Sequence, residues 1–192
     1  MYKGVKRIFR QYWDAYGGWP SLWESPYFHL ALLLTCLTAH SWLEKEWWDT
    51  VIATLPNLLG FTLAGFSMFI GFGDEQFRAM LAEPDEDENE KFTIYTRLCS
   101  TFVHFIVVQI IALLFAIAAK STFFYAEWLG SLQPYVVALR VVGWCLGYIL
   151  FLYALTSALA ATMHVFRIAT MYEQYRKSMK SVVNCCKEKG SK

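Results

Sequence analysis

The residues best placed to do chemistry in this chain are charged side chains gathered into runs, and the chemistry they offer is recognition. Residues 84–90 read Pro-Asp-Glu-Asp-Glu-Asn-Glu, and from Asp74 to Arg97 eight acids stand against three bases. Asp85, Glu86, Asp87, Glu88 and Glu90 would form a docking surface for a basic protein, charge setting encounter rate and register. The simpler alternative is a solvated acidic turn that repels anionic lipid. The run lacks the glycine-punctuated spacing of a calcium loop. From Arg167 onward the sign reverses, with seven bases against Glu173 and Glu188. Arg176, Lys177 and Lys180 are the basic partner-binding candidates there.

Bond-breaking chemistry finds little support. His29, His40, His104 and His164 are scattered without the paired spacing that holds a metal. Each reads as an interfacial or hydrogen-bonded residue. The chain has no GxGxxG, GxxxxGK[ST], CxxC or GxSxG. No catalytic residue, metal or cofactor is expected, and the chain alone is not expected to be an enzyme. Cys185 and Cys186, an adjacent pair, read as ordinary thiols or, in a eukaryote, as an acylation site.

The elements that must position these charges are apolar helices. Of the 192 residues 56% are hydrophobic, 18% aromatic and only 17% charged, with a mean hydropathy of +0.33. A soluble domain runs nearer roughly 45–50% apolar and 25% charged. Disordered, collagen-like and disulfide-scaffold classes are excluded, since all three need fewer large apolar residues. About 20 apolar residues cross a bilayer. Four stretches qualify: about Pro26–Leu43, Trp48–Phe72, Leu98–Ala119 and Val141–Met163. Ser25-Pro26 should cap the first, and the absence of a small-residue cleavage site predicts that this span is kept. The fold expected is all-α and polytopic, with four transmembrane helices. Its parts are a basic arm (1–25), a transmembrane hairpin (26–73), an acidic loop (74–97), a second hairpin (98–163) and a helical tail (164–192).

Orientation follows from Lys and Arg. The arm, the 74–97 loop and the tail carry fourteen, whereas the opposite face holds only Lys45, Lys120 and Arg140. Both termini are therefore expected in the cytoplasm, with Trp42, Trp47, Trp48 and Trp128 in the outer aromatic belt and Trp13, Trp19 and Trp23 on the inner side. The net charge of +1 conceals this sorting.

Three helical patterns carry the rest. Residues 2–16 alternate Val5, Ile8, Phe9, Tyr12, Trp13 and Tyr16 with Lys3, Lys6, Arg7 and Arg10, which predicts an amphipathic helix lying in the headgroup layer; docking to a partner is the alternative. Gly17-Gly18 then turns the chain. The last helix has a heptad seam of Gly147, Phe151, Ala154, Ala158, Ala161, Val165, Ile168, Tyr172, Tyr175, Met179 and Val182. It is small in the lipid and larger in water, so it should pair two copies or pack on another helix of the same chain. The second span has a small-residue stripe, Ala53, Asn57, Gly60, Ala64, Ser67 and Gly71, read as a helix-packing face or a pore lining. Pro56 is expected to kink that span.

In its layout of four spans, inward termini, charged inner loop and helical tail, and in the stretch LLGFTLAGFSMFIGFGDE (58–75), the chain resembles the membrane subunit of Kiwa-type bacterial antiphage defence systems. The resemblance implies a homo-oligomer, a tetramer, that senses phage-induced membrane change in the bacterial inner membrane and holds a cytoplasmic DNA-binding effector. The function expected is thus a membrane sensor or scaffold with the lipid bilayer, its own copies and a cytoplasmic protein as partners and no direct contact with nucleic acid. A small homo-oligomeric channel and a subunit that positions a catalytic partner are the alternatives.

Overall fold

The computed structural model describes residues 2–44, 46–71, 73–83, 91–122 and 133–190, and every regular element among them is an α-helix. These are α1 (Tyr2–Tyr16), α2 (Gly18–Trp23), α3 (Pro26–Leu37), α4 (Ala39–Glu44), α5 (Trp47–Gly71), α6 (Glu75–Ala82), α7 (Ile94–Thr122) and α8 (Gln133–Gly190). Three helices are long and apolar enough to cross a membrane: α5 with 25 residues, α7 with 29, and the Tyr135–Ser181 part of α8.

The continuous first span expected over 26–43 is instead two short helices. Helix α3 has 12 residues, about 18 Å of rise against the roughly 30 Å of a hydrocarbon core. It ends at Thr38, whose hydroxyl donates back to the Leu34 carbonyl at 2.7 Å. Such back-bonding competes with helix continuation. The Trp42 indole N–H then donates to the Thr35 carbonyl at 3.0 Å, folding α4 against the end of α3. At the other end Pro26 occupies the first turn as expected, but the Ser25 hydroxyl makes no cap. The Ser25 carbonyl serves instead, accepting from the Phe28 and His29 amides and from His29 Nδ1.

Helices α5, α7 and α8 pack on one another, α3 lies along α8, and α1 lies on α7. Helices α5 and α7 run antiparallel: Lys120 Nζ meets Asp49 Oδ1 at 2.8 Å at one end, and the Phe69 and Tyr95 rings stack at 5.8 Å at the other. Helix α3 is antiparallel to α8, because the Thr156 hydroxyl donates to the Tyr27 carbonyl at 3.0 Å while Trp42 lies against Tyr148. Trp42, Trp47 and Trp48 are 8%, 3% and 2% exposed and sit in the core against α8. Helix α5 runs unbroken through Pro56.

Helix α8 continues for 58 residues, about 87 Å at 1.5 Å per residue. It approaches its neighbours closely at Gly147, where a Cβ would run into the Trp47 ring and lie 2.7 Å from Phe115. Gly147→Leu should therefore cost about 1–3 kcal/mol through overpacking. Gly143→Leu, where a Cβ would meet nothing within 4 Å, should leave thermal melting in detergent unchanged; equal melting of the two variants would disprove the packing role of Gly147.

Candidate functional site: an arm-clamping cluster and a charged platform

One polar cluster joins three distant parts of the chain. His104, in α7, is 4% exposed. Its Nδ1 lies 2.8 Å from the Tyr12 hydroxyl of α1 and its Nε2 lies 2.9 Å from the Tyr153 hydroxyl of α8. The Tyr16 ring stacks on the imidazole with centroids 3.9 Å apart and planes 14° from parallel. Its hydroxyl is 3.5 Å from that of Tyr153. A neutral imidazole offers one donor and one acceptor, and a phenol can be either, so both ring nitrogens are satisfied in either tautomer. Burial, and then the neighbouring Tyr16, push the Tyr12 phenol up to about 12. Burial raises Tyr16 as well, against a hydrogen bond with Tyr153 that lowers it. Both phenols keep their protons at physiological pH and remain hydrogen-bond donors.

Local sequence explains the arrangement. Tyr12 and Tyr16 are four apart on α1, so they share a face, and Trp13 packs edge-on to Trp19 at 5.3 Å as the chain reverses. The reversal uses Gly17 and Gly18 at φ of 102° and 66°, a left-handed backbone that glycine adopts without penalty. The last turn of α1 is thereby clamped to α7 and α8, while Tyr2, Val5, Ile8 and Phe9 remain exposed. The cluster can transmit movement of the arm to two long helices, but it holds no nucleophile or carboxylate. Among the histidines, His104 carries a hydrogen-bonding role as expected. Its partners, 92 and 49 residues away, were missed, and the only local signal was a histidine inside an apolar run opposite an i,i+4 tyrosine pair.

The second assembly lies on the far half of α8. Asp74 Oδ1 caps α6 by accepting from the Phe77 amide at 2.8 Å. Phe77, 1% exposed, packs edge-on to Tyr172 at 5.0 Å and against Tyr175 at 5.5 Å. The Tyr175 hydroxyl donates to Gln76 Oε1 at 3.4 Å, and Arg176 approaches Asp74 at 4.0 Å. Lys177 pairs with Glu173 at 2.6 Å, one turn away, and Lys180 is exposed. Asp85, Glu86, Asp87, Glu88 and Glu90 lie outside the described residues, as does Trp128. Helix α6, which packs on α7, is joined to basic α8 by these side-chain contacts.

The two sequence stripes exchange roles. The α8 seam packs within its own chain: Gly147, Ala154, Ala161 and Ile168 are buried, and Ala158, Tyr172 and Tyr175 are half-buried. Val165 and Met179 along it are exposed. Within the chain this face is taken up by α3, α5, α6 and α7. Conversely Asn57, Gly60, Ala64, Ser67 and Gly71 on α5 are all exposed, and a Cβ at Gly60 or Gly71 would meet nothing within 4 Å. The face that α5 buries is Val51, Leu55, Thr62 and Phe69. Across it Gln109 Nε2 donates to the Thr62 hydroxyl at 3.0 Å. The small-residue stripe is thus no packing face within the chain.

Comparison of the chain with protein-family models, curated proteins and solved structures gives no match.

Tyr153→Phe should leave His104 Nε2 without its partner, at a cost of about 1–3 kcal/mol for an unmet buried polar group. Faster amide hydrogen exchange across residues 2–16 is the expected result; unchanged exchange there would show that the arm is held by ring packing alone.

Proposed function

We propose that this chain is an oligomeric membrane scaffold, with both termini and the 74–97 segment on the cytoplasmic face, that senses the state of the bilayer and positions a soluble effector. The observation that carries this reading is the fusion of α6 to the projecting half of α8 through Phe77, Tyr172, Tyr175 and the Asp74–Arg176 approach. A stiff basic stem with an acidic segment rooted beside it offers both signs of charge to one partner, which gives register as well as attraction. The orientation is supported by the fourteen Lys and Arg on that side against three on the other. Helix α3 with α4 makes a short fourth crossing, antiparallel to α8, which returns both termini to one face. The arm lies in the headgroup layer, its exposed Val5, Ile8 and Phe9 towards acyl chains and Lys3, Lys6, Arg7 and Arg10 towards anionic lipid. The Tyr12–His104–Tyr153 link then connects that layer to α7 and α8. The layout suits the membrane subunit of a Kiwa-type antiphage system in a bacterial inner membrane, where contact with nucleic acid would belong to the effector.

Self-association proceeds through α5. In lipid, helices associate by close packing of small residues and by polar side chains. Gly60, Ala64, Ser67 and Gly71 with the Asn57 amide present such a face, unused within the chain. The same exposure favours, as a second reading, a channel lined by that stripe around an oligomer axis.

Neutralising Asp85, Glu86, Asp87, Glu88 and Glu90 together should abolish co-purification of the soluble protein encoded beside this one while membrane insertion persists; undiminished recovery would overturn the scaffold. A cysteine at Ala64 should cross-link copies in native membranes whereas one at Ile168 should not. The reverse pattern would return the oligomer contact to the α8 seam. Ion flux from the unmodified chain in liposomes would decide for the channel.

A further inference from the structure

The level at which charged groups bound the apolar surface is not the same around the bundle. Arg97 and Lys120 stand near the two ends of α7, 23 residues apart, and Arg140 and Arg167 are 27 residues apart on α8. At 1.5 Å per residue those intervals are about 35 and 41 Å. Both exceed the roughly 30 Å of a hydrocarbon core, so on a spanning helix these side chains reach headgroups at both faces.

The side that carries α1, α2 and α3 is shorter. Glu24 lines one cavity with Thr101, Ala160 and His164, residues that lie about 5–10 Å inward of Arg97 and Arg167 along α7 and α8. The last turn of α1 is as deep: the Tyr12 hydroxyl is 2.8 Å from His104 Nδ1, seven residues and about 10 Å along α7 from Arg97. Arg10 and Asp14, two residues to either side of Tyr12, are exposed, and so is Glu24. Three charged side chains therefore stand at a depth that Arg97 and Arg167 would assign to acyl chains. Trp19 and Trp23, exposed beside them on α2, are rings that favour the interface. At the opposite face the exposed Glu46 adjoins Trp47, whose ring lies at Gly147. Measured along α8 from His164 to Gly147, the apolar length on this side is about 26 Å. The exposed Leu30, Leu33 and Leu37 of α3 occupy it.

We infer that this side of the bundle is built for a locally thinned bilayer, with the cytoplasmic headgroups drawn about 5–10 Å towards the midplane along α1, α2 and the start of α3. Charge in hydrocarbon is costly, whereas a bilayer meets a few ångströms of mismatch by thinning at modest cost, so the lipid yields before the charges do. The inference deepens the sensing role proposed above and rests on the membrane-spanning reading: bilayer thickness is the property that the arm reports. In a thin bilayer Arg10, Asp14 and Glu24 are level with the headgroups and the Tyr12–His104 contact is undisturbed. In a thick one the headgroups pull those charges outward, against that contact and against the bond from the Thr156 hydroxyl to the Tyr27 carbonyl. The partner of this surface is the thinned lipid annulus itself, whatever its headgroup.

The test is amide hydrogen exchange of the full chain reconstituted into dimyristoleoyl, dioleoyl or dierucoyl phosphatidylcholine, a series of rising thickness with one headgroup. Residues 12–24 should exchange about tenfold faster in the dierucoyl than in the dimyristoleoyl bilayer, while residues 102–116 of α7 keep one rate. Equal exchange of 12–24 in all three lipids, or a change shared by 102–116, would overturn the inference. The triple variant Arg10→Leu, Asp14→Leu, Glu24→Leu, at exposed positions, should lose the thickness dependence; a dependence that survives it would overturn the role of the three charges. Resistance to alkaline extraction reports insertion separately. Extraction from all three bilayers would overturn the spanning reading and the inference with it, whereas insertion with uniform exchange would overturn the inference alone.

Discussion

The close approach of α8 to its neighbours is the constraint from which the remaining geometry follows. Gly147, Ala154, Ser157 and Ala161 present almost no side chain to α3, α5 and α7, and the helices settle at distances that larger residues would forbid. Between helices in lipid there is little hydrophobic gain from association, so dispersion across close contacts and hydrogen bonds must supply the attraction. The tryptophans complement this: Trp47 fills the notch above Gly147, and Trp48 packs edge-on to Trp144 at 5.6 Å. A helix that lies so close fixes its own direction, and with it the course of the half that continues beyond the bundle.

Hydrogen bonds do the aligning that packing leaves open. The Thr156 hydroxyl reaches the Tyr27 carbonyl, Gln109 reaches Thr62, and His104 reaches Tyr12 and Tyr153. Each joins elements far apart in sequence, and each lies in surroundings that strengthen a satisfied bond and penalise a missing one. Rotation of α7 about its axis would break two of these links at once. The arm is consequently part of the bundle at its Tyr16 end and free of it at its Tyr2 end, an arrangement suited to passing a change in the headgroup layer to α7 and α8. On the proposed orientation, the same α8 carries that change to the α6 platform without an intervening joint.

Much of the architecture is legible in single residues. Gly17-Gly18 announces the reversal after α1, and the heptad of small then large residues marks the face that α8 buries, whereas α6 lies hidden in the stretch read as an acidic loop. The first span is divided at Thr38, an interruption that composition, which counts apolar residues, does not register. That Trp42, Trp47 and Trp48 face the bundle is likewise not legible in sequence: an indole serves equally as a wall against lipid or as a plug between helices, and only the neighbours decide which.

The sequence by itself determined that the chain is helical, that it carries apolar stretches long enough to cross a membrane, and that its charges are sorted by segment. These properties depend on local periodicity and on residue type, which need no partner. Only the tertiary structure decided which of two nearly equivalent small-residue stripes is buried and that His104 gathers three tyrosines around it. A stripe states that close approach is possible but not what approaches. Helices in contact choose one face each, and that choice is made by the pairwise fit of side chains from segments up to about 130 residues apart, such as Tyr27 and Thr156.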